Sequence, residues 1–200
     1  MTTRITSALA ALALLTACGT EHPAPTASAS VARLEANANG ASASDASFGP
    51  AVAKDLATLR RVTAPYHDFA TGKDAGWDTQ ITGCMTDPGG AGGMGFHYGN
   101  TDFIDGTAQV DRPQLLLYEP ESNGKLRLVA VEYIIPYTFH ARSDTPPELF
   151  GQQFKQVDAF QLWGLHAWVW KENPSGIFAD WNPNVNCDNA PAESRMVMAH

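Results

Sequence analysis

The chain has 200 residues and a formal net charge of −8, with 44% hydrophobic, 10% aromatic and 17% charged residues. That balance leaves no basic footprint, which excludes electrostatic binding of nucleic acid or of anionic lipid. The apolar content suffices for one core, and no segment beyond the first 17 residues is long and apolar enough to read as a membrane span.

Residues 1–17 read as a secretory signal peptide, with Arg4 as the positive start and Ile5 to Leu15 as a short apolar run. Leu15-Thr16-Ala17-Cys18 matches the lipobox of bacterial lipoproteins, in which small residues precede a cysteine that is diacylated and becomes the mature N-terminus. The expectation is an exported domain anchored to a bacterial membrane through lipid (palmitate among its chains) on Cys18, facing the periplasm or the cell exterior. Residues 18–47, rich in Ala, Ser, Pro and Thr, read as a flexible tether that cannot bury a core. Residues 48–187 are then one globular domain, and residues 188–200 a short polar tail.

With Cys18 lipidated, Cys84 and Cys187 remain as an even pair, and an oxidising compartment makes a disulfide between them the expected state. Closing a loop of about a hundred residues stabilises by about 4–5 kcal/mol in the chain-entropy treatment. The alternatives are two free thiols, or one thiol as nucleophile or metal ligand.

In chain order, Gly49-Pro50 opens a helix whose apolar stripe is Val52, Leu56, Leu59 and Val62, interrupted at Pro65. Tyr66, Phe69 and Ala70 continue the stripe in a second short helix before Gly72, and His67 reads as solvated. A glycine-dense loop follows Cys84 and leads into a short aromatic strand, Met94 to Tyr98, carrying His97. Gln114–Glu119 and Lys125–Ile135 flank Asn123-Gly124 and predict a hairpin with a two-residue turn. That register sets Leu117 opposite Ala130 and Glu119 opposite Leu128. The long strand is apolar on both faces and therefore central, so Glu132 among its leucines must be paired, protonated or metal-bound. Leu165 to Trp170 alternates Leu165, Ala167, Val169 against His166, Trp168, Trp170, a strand pattern. The glycine loop and the Asn-Pro segment before Cys187 are expected to meet. One helix followed by several strands predicts an α+β fold: a single compact domain, an N-terminal helix packed on a mostly antiparallel sheet, and one disulfide.

The segments GMGFHY, LLLYEP, LRLVAVEY, LFGQQF and LHAWVWKENPSGIFADWNPNV, running on to Cys187, resemble a family of uncharacterised exported bacterial proteins. The likeness spans Tyr66 to Cys187 and is most specific in its Asn-Pro-containing end. It implies one compact domain and transfers no catalytic residue.

His97, Glu132 and His166 all fall in predicted strands, whose rigid backbones hold side chains in fixed geometry. Two imidazoles and a carboxylate are the donor set of open non-haem iron sites and of some zinc sites. Their spacing fits no compact motif such as H-E-x-x-H, so the site requires a meeting in three dimensions. The first reading is a divalent metal or small ligand held there. Alternatives are an enzyme at the same cluster, either metal-dependent or with His97 or His166 as general base beside Glu132, and a surface interaction domain whose histidines are structural. Trp168 and Trp170 are candidates for stacking a ligand ring or caging a cation, although alternation sends only part of the tryptophan set to one face. The glycine run lacks a nucleotide-loop pattern, and no G-x-S-x-G elbow occurs.

Overall fold

The computed structural model describes residues 45–198. The signal peptide, Cys18 and the tether up to residue 44 lie outside the described residues, as do residues 199 and 200. Asp45, which the sequence places in the tether, belongs to the folded domain. It is fully buried, and its two carboxylate oxygens accept from the Arg60 guanidinium, one of them at 3.1 Å.

Pro50 sits in the first turn of α1 (Pro50–Thr63), where its missing N–H leaves no partner unmet. Leu56 and Leu59 on α1 are fully buried in one apolar cluster with Leu116, Tyr118, Leu128 and Tyr133. The helix ends before Pro65, and a 3-10 turn over Ala64–His67 leads into α2 (Phe69–Asp74). The Asp68 carboxylate caps α2 by accepting from the Ala70 N–H at 3.2 Å.

Nine strands follow among the described residues: β1 (Thr79–Thr86), β2 (Gly93–Gly99), β3 (Leu115–Pro120), β4 (Leu126–Pro136), β5 (Glu148–Leu149), β6 (Gln152–Gln153), β7 (Lys155–Val157), β8 (Leu162–Ala167) and β9 (Arg195–Val197). β5 and β6 pair only with each other. The other seven form one sheet in the order β7-β8-β4-β3-β2-β1-β9, antiparallel at every step except β1–β9. β4 is flanked on both sides and buried on both faces. Val131, Tyr133 and Ile135 join the cluster that holds Leu56 and Leu59. Ala130 and Ile134 join a second cluster with Met85, Leu117, Trp168 and Val185.

The β3–β4 connection corrects the expected register in part. Asn123-Gly124 does turn the chain, but the loop holds three residues: Gly124 takes φ 78°, and the Glu121 N–H donates to the Lys125 carbonyl at 2.8 Å. The extra residue sets Glu119 opposite Arg127 and Tyr118 opposite Leu128. Leu117 still faces Ala130, because Val129 is inserted as a β-bulge that restores the register beyond it. Without the bulge, Glu132 would turn away from the face it shares with Ala130 and Ile134.

Two further departures concern the ends of the sheet. β1 was not legible as a strand, since Gly83 and three register irregularities interrupt it. The stretch after Cys187, expected as a loose tail, instead contributes β9, which pairs in parallel with Cys84–Thr86. Its anchors are short but specific, including the Gly83 N–H against the Met196 sulfur at 3.0 Å.

The glycine loop and the Asn-Pro segment do meet. Gly93 and Asn182 exchange both backbone hydrogen bonds at 3.1 Å, and Cys84 is disulfide-bonded to Cys187 with the Cα atoms 5.8 Å apart. Such a bond fits an oxidising, extracytoplasmic compartment. Among the described residues no helix is long and apolar enough to cross a membrane. The close approach requires Gly92: its φ is 112°, and a Cβ there would lie 2.1 Å from the Asn182 carbonyl oxygen. Gly92→Ala is expected to cost about 2 kcal/mol of stability, read as a lower urea midpoint at unchanged m.

Candidate metal centre

Strand register brings the three predicted donors together. Glu132 on β4 lies directly opposite His166 on β8 and, on its other side, opposite Leu115 on β3. His97 on β2 stands opposite Leu117, one pleat along the same face of β3, and leans across that strand toward Glu132. The Glu132 Oε2 lies 3.5 Å from His97 Nε2 and 3.8 Å from His166 Nε2. One donor atom from each residue falls within 4.8 Å of the other two. A tetrahedral ion with bonds of about 2.0–2.1 Å spaces its donors by about 3.3 Å, so side-chain adjustments of up to about 1.5 Å close the set around an ion.

All three groups are buried, and burial governs their protonation. Desolvation pushes the Glu132 carboxyl up to about 8, with the nearby Asp180 charge adding to it. Desolvation also pulls both imidazoles down to about 3, helped by His166 at His97 and by Lys155 at His166, while a backbone hydrogen bond at Gly95 acts in the opposite sense on His97. At neutral pH the apo cluster therefore holds two neutral imidazoles and one protonated carboxyl. Despite their proximity these groups are not ion pairs.

The hydrogen bonding around His97 selects a ligand-competent tautomer. The Thr82 hydroxyl donates to the Gly83 carbonyl at 3.0 Å, so its oxygen accepts the His97 Nδ1–H at 2.7 Å. That leaves the Nε2 lone pair aimed toward Glu132, and an outer hydrogen bond of this kind is the usual support of a metal-binding histidine. His166 packs parallel to the Trp168 indole, with ring centroids 6.2 Å apart and planes 11° from parallel. Its Nε2 is buried with no hydrogen-bond partner. A buried polar atom left unpaired costs about 1–3 kcal/mol, and native folds keep few of them.

Two positions that complete the cluster carried no sequence signal. Thr82 lies in the unrecognised β1. Gly164, opposite Ile134, makes room for the carboxylate, because a Cβ there would lie 2.9 Å from Glu132 Oε1. Gly164→Ala is expected to displace Glu132 and weaken zinc binding at least about tenfold, with the fold retained by circular dichroism.

The cluster forms part of the lining of a cavity of about 390 Å³. Met85, Met94, Leu115, Ile134 and Leu162 line it from the sheet, Trp181 from the Asn-Pro segment, and Met198 from the chain just after β9. Lys155 and Asp180, each about half exposed, pair at 2.8 Å on its lining.

The two candidate tryptophans part: Trp168 lies beside His166 and Trp170 in the opposite cluster. β8 ends at Ala167, and the Trp168 N–H turns to the Ile177 carbonyl at 2.8 Å. Trp168 joins the cluster beneath the histidines and donates its indole N–H to the Ala179 carbonyl at 2.7 Å. Trp170 packs in the opposite cluster, against the exposed His67, and donates to the Thr63 hydroxyl at 3.0 Å. The two rings share no platform. Cys84 and Cys187, being bonded to each other, supply no metal ligand.

No protein-family model, curated protein or solved structure matches this chain. The reading of its function therefore stands on the geometry of the cluster and its cavity.

Proposed function

We propose that this chain is an exported, lipid-tethered domain that binds a divalent transition-metal ion through His97 Nε2, Glu132 and His166 Nε2, leaving part of the coordination sphere open to the cavity. The observation that carries this reading is the buried His166 Nε2, which has no partner of its own and lies 3.8 Å from a carboxylate oxygen that also faces His97. A metal ion satisfies all three groups at once. A proton on Glu132 cannot, since it serves one imidazole at a time. α1 acts in this reading as the cover of the sheet's opposite face, which leaves the metal-bearing face free to line a pocket.

The donor set of two histidines and one carboxylate suits zinc or ferrous iron, and three protein ligands with open positions are the arrangement of catalytic sites. The cavity of about 390 Å³ beside the donors favours a second reading, a metal-dependent enzyme acting on a small molecule.

Metal content and zinc titration of the purified protein test the proposal. The expected result is one equivalent of zinc, or of iron under anaerobic reduction, abolished by His97→Ala or His166→Ala with circular dichroism unchanged. Failure of zinc, iron and copper alike to bind would leave the histidines as structural residues of an interaction domain.

A further inference from the structure

We infer that the occupant of the cavity is a small monoanion with an apolar tail, its carboxylate or equivalent oxygen head bound to the metal and its tail lying along the sheet. The inference rests on the metal reading above and adds the chemical class of the ligand.

Charge selects the head. Two neutral imidazoles and one carboxylate leave a divalent ion with one unit of uncompensated positive charge in a buried setting. A monoanion cancels that unit, whereas a dianion would bury an unpaired charge. The other charged side chains on the lining each have an ion-pair partner. Lys155, the cation there, is already paired with Asp180 at 2.8 Å, and Asp158 is held by Arg142 at 2.7 Å.

The walls select the tail. Met85, Leu115, Ile134, Leu162 and Met198 surround the space beside the donors, and their thioether and alkyl groups offer no directed hydrogen bond. Methionines are adaptable lining, suited to a flexible chain more than to a rigid ring. Size sets the limit: about 390 Å³ is the share of about a dozen water molecules, which matches a head with an alkyl chain of up to roughly ten carbons. A sugar or nucleotide would bring polar groups that these walls leave unpaired, at a cost for each.

The test uses the cobalt-substituted protein, whose visible absorption reports on the metal, with butanoate, hexanoate and octanoate as probes. Each is expected to change the cobalt spectrum in the same way. Affinity should tighten by about two- to fourfold per added methylene up to octanoate. Phe160→Asp, at a half-exposed position on the lining, is expected to weaken octanoate at least about fivefold while leaving butanoate within about twofold. Cobalt that loads and responds equally to all three acids would overturn the apolar tail, and octanoate binding that leaves the spectrum unchanged would overturn the metal-bound head. Cobalt that does not load would overturn the metal reading and this inference with it, so the two failures are distinguishable.

Discussion

Replacing Cys84 and Cys187 together by alanine is expected to lower the unfolding free energy by about 4–5 kcal/mol and the thermal midpoint by about 10–15 °C. The two cysteines are separated by 103 residues, so their bond closes most of the domain into one loop, and its main effect is to restrict the unfolded chain. Alanine is the appropriate replacement because both positions are buried and a serine hydroxyl would add a desolvation cost. The bond also acts locally. Cys84 lies two residues beyond Thr82, whose hydroxyl orients His97, and Cys187 closes the segment that carries Trp181 into the cavity wall. The variant should therefore bind zinc more weakly than expected from lost stability alone. Denaturant titration checks the first effect, and a loss under 1 kcal/mol would show that the sheet holds this loop without the bond.

In chelator, the protein should be most stable near pH 6.5 and lose stability on either side. The folded state holds the Glu132 proton up to about pH 8, whereas the unfolded chain releases it above about 4.5. Raising the pH through that window therefore disfavours the folded state. The two histidines act in the opposite sense: folded, they stay neutral down to about pH 3, while the unfolded chain protonates them below 6.5. Each group contributes a slope of about 1.4 kcal/mol per pH unit within its own window. Of these three groups only Glu132 titrates differentially from pH 6.5 to 8, giving a loss of about 2 kcal/mol. From pH 6.5 down to 4.5 two histidines outweigh one carboxyl, for a net loss of about 3 kcal/mol, and the fall steepens below that. Glu132→Gln should abolish the alkaline limb and steepen the acid limb between pH 6.5 and 4.5, where the carboxyl no longer offsets one histidine. A thermal midpoint that is flat between pH 6.5 and 8 in the wild type would contradict the burial of a protonated Glu132. Saturating zinc should reverse the alkaline limb, since the ion needs the carboxylate and its affinity grows as the proton leaves.

The site residues were legible because each announces itself locally. Glu132 breaks an apolar strand, and His97 and His166 interrupt aromatic alternation, so a polar group in a core pattern needs no tertiary information to be noticed. What brings them together does not show in such patterns. The Val129 bulge offsets a loop one residue longer than the Asn-Gly signal implied, and only the two deviations together set Glu132 opposite Leu115, on the side of β3 toward which His97 leans. The same bulge explains why the tryptophan alternation misleads. The Val129 carbonyl accepts from the Trp170 and Lys171 N–H groups at 3.2 and 3.0 Å, drawing the chain off the line of β8 and sending Trp170 to the other face. Gly164 matters for an atom it lacks, and Thr82 for a hydroxyl on a strand broken by glycine. Neither has a signature in composition or periodicity.

The two margins of the sheet are its shortest members. β7 and β9 have three residues each, against eight in β1 and eleven in β4. Long exposed strands invite a second molecule to continue the ladder, and small terminal strands with charged residues such as Lys155 and Arg195 discourage it. On a membrane, lipid anchoring would confine many copies to one plane and raise their mutual encounter rate, so protection against edge-to-edge association would matter more there than in dilute solution. In that setting β9 would act as a guard against self-association. A chain ending before Arg195 would present the buried half of β1, Gly83 to Thr86, as an open template to its neighbours.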